Sequence, residues 1–139
     1  MFGSMLDVFT MLQQGRIDVG MLSAAEVDRR GNLNSTVIGP YDKPKVRLPG
    51  SGGAHDIAVL ARRLLILMPH DPQRFVEKVG FATSPGHPAG KTRQAAGLTG
   101  GGPSALVTPR ALFRFDGGEM TLAATRADLS ADDAVEGIP

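Results

Sequence analysis

The sequence contains no cysteine, and this absence excludes disulfide bonds and thiolate metal sites. A chain without cysteine is compatible with the cytoplasm, which is the location we expect. Lysine and arginine number 15 against 14 for aspartate and glutamate, so we expect neither nucleic acid nor a membrane surface as the main partner. The longest apolar run, residues 64–68, is far too short to cross a bilayer. No basic segment precedes an apolar one at the N-terminus, so no signal peptide is expected.

The length and the composition predict one folding unit. With 139 residues, of which 42% are hydrophobic, the chain can bury one core, and we expect a single domain, or part of one, over residues 1–139. The 18 glycines and 10 prolines are spread along the chain rather than collected in a linker, which indicates many turns between short elements.

The first elements follow from capping signals and hydrophobic periodicity. Ser4 and Asp7 have the spacing of a capping box, and the helix they begin is predicted to run to Gln14 and to stop at Gly15. Residues 17–22 then form a strand with so little polarity that we expect it to be covered on both faces. The chain therefore begins with an α/β unit.

The later elements predict a sheet that ends in an antiparallel pair. Residues 64–68 are the strongest strand candidate in the chain. Further strands are predicted at residues 104–108, 112–115 and 120–124, the last two joined by a hairpin turn. Ser130 and Asp133 repeat the capping pattern and predict a short final helix.

Two other stretches consist mainly of turn-forming residues. Residues 23–39 hold polar residues followed by a short β-branched strand. This stretch is either a functional loop at a strand end or a solvated connection in which asparagine side chains bond their own backbone. Residues 83–102 are rich in glycine and proline, and such a long excursion is typical of a binding loop, an interface or disorder.

Residues 48–58 run from a glycine-rich turn into a predicted helix. Gly50, Gly52 and Gly53 permit positive φ and expose backbone N–H groups, which suits close approach to a ligand or an oxyanion. Their spacing is neither that of a dinucleotide-binding fingerprint nor that of a P-loop. A plain tight turn explains the pattern equally well.

Side chains suited to catalysis or metal binding are few. The three histidines are His55, His70 and His87. None has a second ligand three or four positions away, so we expect no metal site. The remaining candidates for chemistry are the carboxylates of Asp18, Glu26, Asp28 and Asp56. Composition does not choose among them.

Three motifs together resemble a known family. Residues 15–19 (GRIDV), 26–39 (EVDRRGNLNSTVIG) and 50–58 (GSGGAHDIA) are similar, in order and spacing, to the β subunit of family I coenzyme A transferases, in the glutaconate and 3-oxoacid branch. Residues 108–115 and 118–125 resemble the terminal strand pair of that subunit, and residues 129–135 resemble its closing helix. The resemblance implies an open, mainly parallel α/β sheet with helices on both faces, of the ribose-phosphate isomerase-like kind.

The resemblance also implies an activity, the movement of CoA between an acyl-CoA and a 3-oxo or dicarboxylic acid. In this family a glutamate attacks the thioester to form an anhydride, the thiolate returns to give an enzyme–CoA thioester, and an acceptor acid takes the CoA. Gly52 and Gly53 would stabilise the oxyanions through their N–H groups. The residues implied to bind substrate or CoA are Asn32, Asn34, Gly50, Ser51 and Ala54. CoA enters as a substrate, and no permanently bound cofactor is implied.

Two departures from the family pattern affect these expectations. The nucleophilic glutamate of the family lies in a Ser-Glu-x-Gly type motif before the helix that begins here at Ser4, so this chain is expected to lack it and to be inactive alone. Glu26 belongs to another motif and is not expected to replace it. His55 stands where relatives carry Ala, Cys or Met, and we expect it to be a packing variant.

Two other functions stay open from the sequence. One is a CoA-thioester hydrolase or ring-opening subunit of the same superfamily, and the other is a non-catalytic CoA-binding or structural subunit. The expected partners are an α-type subunit, a second copy of this chain, or both. Because part of the sheet is expected to be missing, we predict an exposed apolar strand edge and face.

Overall fold

The computed structural model describes residues 3–139. Within them, the helices are α1 (Met5–Gln13), α2 (Ala54–Leu60) and α3 (Ala131–Val135). The strands are β1 (Val19–Leu22), β2 (Glu26–Asp28), β3 (Leu33–Asn34), β4 (Val37–Ile38), β5 (Val46–Arg47), β6 (Arg63–Leu67), β7 (Phe75–Val76), β8 (Pro103–Val107), β9 (Ala111–Arg114) and β10 (Thr121–Thr125). None of the described helices has the length and hydropathy needed to cross a membrane.

The two predicted capping boxes are confirmed. The backbone N–H of Ser4 donates to the Asp7 carboxylate over 2.7 Å, while the Ser4 hydroxyl accepts from the Asp7 backbone N–H. Ser130 and Asp133 repeat the arrangement at the start of α3. Gly15, with φ +67°, follows the end of α1 as predicted.

The main sheet has the strand order β1-β6-β8-β9-β10. β1, β6 and β8 are parallel, whereas β9 pairs antiparallel with both β8 and β10. The predicted α/β class and the antiparallel pair at the end of the sheet are therefore confirmed. The sheet is mixed, because hairpin connections bring β9 back beside β8 and β10 back beside β9.

One face of this sheet carries the core. Leu64, Ile66 and Leu106 on this face are each at most 1% exposed. α2 lies directly over β1, since a Cβ at Gly20 would come within 2.5 Å of the Ile57 side chain. The last helix, α3, adds a buried alanine to the same core cluster.

The opposite face, called here the open face, consists of Met21, Leu65, Leu67, Ala105 and Val107. The strand register aligns Met21, Leu65 and Ala105 in one row and Leu67 with Val107 in the next. Met21 is 63% exposed, Leu67 45% and Val107 38%. The cover expected on both faces of the sheet is thus provided on only one of them by the described residues. An apolar run predicts two-sided burial without saying which chain supplies each side.

Two smaller sheets are formed by β2, β3, β4 and β5, which lie between β1 and α2 in the chain, together with β7, which follows β6. β2 pairs antiparallel with β3 and parallel with β7, and β4 pairs antiparallel with β5. Because β2 and β7 follow β1 and β6, this small sheet lies beyond the carboxyl ends of the parallel strands. That is the side on which open α/β sheets bind their ligands.

Candidate functional site

The glycine turn, residues 50–53, follows β5 and opens α2, as the sequence predicts. Gly50 has φ +93° and Gly52 has φ +48°, both in the left-handed region that favours glycine. No atom would lie within 4 Å of a Cβ at either position. The outer side of the turn is therefore open in this chain.

The backbone amides of the turn fall into two groups. The amide of Gly50 donates to Ser35 O over 2.9 Å, and the amide of Ala54 donates to Ser51 O over 2.8 Å. For the amides of Gly52 and Gly53, residues 3–139 provide no acceptor. These two N–H groups can serve an anionic oxygen that comes from outside the chain.

Glycine is required at position 53 for a different steric reason than at positions 50 and 52. A Cβ at this position would run into the ring of Phe9 on α1. Its φ of −89° is open to any residue. The glycine is therefore required by the packing of α1 against the start of α2, a constraint that the local sequence does not show.

The side chain of Asn34 holds the conformation of residues 34–37, which lie next to the glycine turn. Its side chain is fully buried, and Nδ2 donates to Glu26 Oε2 and to Val37 O, each over 2.7 Å. Its Oδ1 accepts from the backbone N–H groups of Thr36 and Val37, at 3.0 and 3.3 Å. Both polar atoms of the amide are thus occupied within the chain, so Asn34 shapes the loop through its own backbone.

The loop that Asn34 holds, residues 34–37 and called here the Asn34 loop, is joined directly to the glycine turn. Besides receiving the Gly50 amide, Ser35 donates its hydroxyl to Gly50 O over 3.1 Å. The structure therefore brings Asn34, Gly50 and the rest of the turn to one place.

Asn32 lies at the other end of the β2–β3 hairpin. Its Nδ2 donates to the Asp28 carboxylate over 2.9 Å, and its Oδ1 accepts from the Gly86 amide over 2.8 Å. It lines a cleft of about 730 Å³ together with Lys78 and His87. The glycine turn is not part of this cleft, so the predicted site residues form two groups.

Thr83 is a site residue that the sequence reasoning missed. Its Oγ1 accepts from the Ser35 amide over 2.9 Å and shares a 2.7 Å hydrogen bond with the Thr36 hydroxyl. Its carbonyl oxygen lies 3.2 Å from Nδ1 of His55, which adds a hydrogen-bonding contact to the predicted packing role of that histidine. These partners are 28 to 48 positions away in the chain, so no local signal marks the residue.

His70, which lies at the carboxyl side of the main sheet, forms a side-chain hydrogen bond with Thr108. Nδ1 of His70 lies 2.9 Å from Thr108 Oγ1, just beyond the ends of β6 and β8. Burial, with a further contribution from the charge of Arg110, lowers the pKa of His70 below its usual value. Across the described residues, no group of three or more histidine and carboxylate side chains is arranged to hold a metal ion.

The comparisons with known proteins agree with this geometry. The family model described as coenzyme A transferase matches residues 1–134. The β-type subunit of 3-oxoadipate CoA-transferase from Pseudomonas knackmussii is 52% identical over 108 residues, which are 77% of this chain and 42% of the relative. The corresponding subunit of glutaconate CoA-transferase from Acidaminococcus fermentans is 40% identical over 124 residues, which are 85% and 46% of the two chains.

Solved structures carry the same fold. Glutaconate coenzyme A-transferase from Acidaminococcus fermentans superposes with a TM-score of 0.83 at 34% identity, over 96% of this chain and 54% of that one. A variant of the decarboxylase AibA/AibB superposes with a TM-score of 0.79 at 28% identity, over 97% and 51%. The chain thus spans about half the length of the relatives it matches.

Proposed function

Because the chain belongs to the coenzyme A transferase family, we propose that it is part of a subunit that moves CoA between an acyl-CoA and a 3-oxo or dicarboxylic acid. The observation that carries this proposal is the glycine turn, whose amides at Gly52 and Gly53 have no acceptor in the described chain. A carboxylate that attacks a thioester produces a tetrahedral oxyanion, and preorganised N–H groups stabilise such an oxyanion by a few kcal/mol per donor. CoA acts here as a substrate, and the proposal needs no permanently bound cofactor.

The other site residues take supporting roles in this proposal. Ser51 accepts the Ala54 amide and so closes the first turn of α2. Gly50 and Asn34 set the position of the turn relative to the loop behind it, because Ser35 joins the two. Asn32 borders the cleft of about 730 Å³, where it would bind a more distant part of the substrate.

The attacking carboxylate, in this proposal, comes from outside residues 1–139. Glu26 is bound through Oε2 to the buried amide of Asn34, which gives it a structural task. A longer chain of the family or a partner subunit would supply the nucleophile. Acyl-CoA thioesters are made and used inside cells, which is the basis for proposing a cytoplasmic location.

The partner in this proposal is an α-type subunit, a second copy of the chain, or both. The two transferase relatives named above are each one subunit of an enzyme with more than one kind of chain. The open face and the exposed side chains of Met5 and Leu6, at 75% and 76%, form apolar surface of the kind that partners cover. Sedimentation at micromolar concentration tests this point: we expect association that Leu67→Asp weakens, and a clean monomer with no affinity for an α-type subunit would contradict it.

An exchange assay tests the activity. The complete subunit containing these residues is combined with an α-type subunit, an acyl-CoA and an isotopically labelled free acid. Transfer of label into the CoA ester is expected. Release of free CoA without an acceptor would instead indicate a hydrolase or ring-opening enzyme, and CoA binding without either reaction would indicate a non-catalytic subunit. The similarity to a decarboxylase shows why the fold alone does not choose the reaction.

A further inference from the structure

Arg93 is a buried cation that the chemistry described above does not use. Its residue surface is only 7% exposed, and within residues 3–139 no carboxylate lies close enough to pair with it. Its guanidinium instead donates to four backbone carbonyls. Nε reaches Gly100 O over 2.9 Å and Nη2 reaches Ala58 O over 2.9 Å, while Nη1 donates to Pro85 O and Gly86 O over 3.2 and 2.5 Å.

Gly102, the last residue of the glycine run at residues 100–102, makes room for this guanidinium. A Cβ at Gly102 would come within 2.7 Å of Arg93 Nε, and the residue has φ +76°. A Cβ at Gly100 would come within 2.5 Å of Val59 O at the end of α2. The end of the excursion over residues 83–102 thus packs tightly against the end of α2 and against Arg93.

Three of the four carbonyls that Arg93 joins lie on segments that continue into the candidate site. Ala58 lies on α2, the helix that begins at the glycine turn. Pro85 and Gly86 follow closely after Thr83, which holds Ser35 and contacts His55. The guanidinium therefore connects the helix behind the turn with the segment that anchors the Asn34 loop.

We propose that Arg93 is a positioning residue that fixes the distance between α2 and Thr83, and thereby the placement of the Asn34 loop against the glycine turn. This inference rests on the proposed function only in treating the turn as the substrate site. Arginine suits the task because its planar fork offers five N–H groups in fixed directions. A lysine at this position has three donors on a single nitrogen, so it can serve at most three of the four carbonyls, and only those that lie within reach of that one atom.

Variants of Arg93 test the inference by NMR on the isolated chain. Arg93→Met removes all four hydrogen bonds, Arg93→Lys keeps the charge, and Arg126→Met is the matched control at an exposed arginine. The site is followed through the amide exchange of Ser35 and Gly50, and the core through that of Ile66 and Leu106, which are fully buried on β6 and β8. We expect exchange at the two site amides to accelerate about tenfold more than at the core amides in Arg93→Met, with a smaller difference in Arg93→Lys and none in the control.

The imidazole nitrogen shifts of His55 provide a second readout. Since Nδ1 of His55 lies against Thr83 O, these shifts should change in both Arg93 variants and not in Arg126→Met. Equal acceleration at site and core amides would reduce Arg93 to a general stability residue and overturn the proposal, as would unchanged His55 shifts. If Arg93→Met does not fold, Arg93→Lys decides by the same criteria. Neither readout needs turnover, so an inactive wild-type enzyme would overturn the proposed function without touching this result.

Discussion

The glycine turn with its Asn34 loop and the open face of the sheet are opposite cases within one chain. In the first region, buried polar atoms find their partners inside the chain, through Asn34, Ser35 and Thr83. In the second, apolar side chains such as Met21 and Leu67 stay exposed. The described residues thus hold the site in shape by themselves, while they leave one face of the main sheet uncovered. The preorganisation of the site and the covering of the sheet are therefore separate properties, and each can be tested.

The largest effect is expected when a proposed oxyanion donor is removed from the glycine turn. Proline at position 53 lacks the N–H, and φ −89° lies near the proline range, but its ring would meet Phe9. Gly53→Pro is therefore made in a Phe9→Ala background, with Phe9→Ala alone as the control. In the complete enzyme we expect turnover to fall on the order of a hundredfold.

Gly52→Pro should also abolish the donor, but φ +48° conflicts with the ring and distorts the turn. Gly80→Pro, at a position with open space around its Cβ and ordinary φ, is the matched control and should retain activity. Full turnover in the Gly53→Pro, Phe9→Ala double variant would remove Gly53 from the proposed mechanism.

The open face is tested by comparing neighbours on β6. Ile66 is fully buried and Leu67 is 45% exposed, so Ile66→Ala should cost about 2–5 kcal/mol of unfolding free energy and Leu67→Ala about 1 kcal/mol or less. Urea unfolding of the isolated chain measures both. A large loss in Leu67→Ala would mean that the open face is already covered, for example by self-association, and repeating the measurement at lower protein concentration distinguishes that case.

A smaller loss of unfolding free energy is expected when the buried hydrogen bonds of Asn34 are removed. Asn34→Ala leaves the Val37 carbonyl and the Thr36 amide without their partner in a buried place, so we expect a loss of about 1–3 kcal/mol. Asn32→Ala should cost less, because Asn32 lines a cleft that water reaches. Urea unfolding measures the two losses. Equal losses would show that the side-chain hydrogen bonds at the two ends of the β2–β3 hairpin contribute equally to the unfolding free energy.

A further test uses pH. Because the folded state lowers the pKa of His70 below its ordinary value of 6.5, the unfolded chain binds a proton more readily. This contribution to stability is fully present above about pH 6.5 and is lost as the pH falls below that value. Urea midpoints at pH 7.5 and 5.5 should differ more in the wild type than in His70→Gln. An identical pH dependence in both chains would contradict this assignment.

The smallest expected effect is none at all. The isolated chain, incubated with an acyl-CoA and then borohydride, should show no adduct by mass spectrometry, because covalent catalysis needs an activated group at the thioester carbon. Glu26→Ala should give the same result. A stable adduct that maps to Glu26 would show that the nucleophile lies in this chain.

Local signals predicted much of the fold. The capping boxes at Ser4 and Ser130, the stop at Gly15, the strand at residues 64–68 and the terminal antiparallel pair all depend on residues close in sequence, and all are confirmed. The glycine turn was also placed correctly between a strand and a helix. The backbone hydrogen bonds of Asn34 join residues only two or three positions away, as in one of the two alternatives that the sequence offered for residues 23–39. The role of Thr83 was not predictable in the same way, because its partners lie 28 to 48 positions away and only the fold brings them near.

The amino-acid sequence by itself determined where helices start and stop, where the backbone must turn and which family the motifs resemble, because these properties depend on short-range sterics and capping. The tertiary structure alone decided that Gly53 makes space for Phe9, that Arg93 collects carbonyls from three segments and that one face of the sheet stays open. The contacts of Gly53 with Phe9 and of Arg93 with Ala58 join residues far apart in the chain, and the open face is a surface without a neighbour among the described residues. Only packing in three dimensions determines such outcomes.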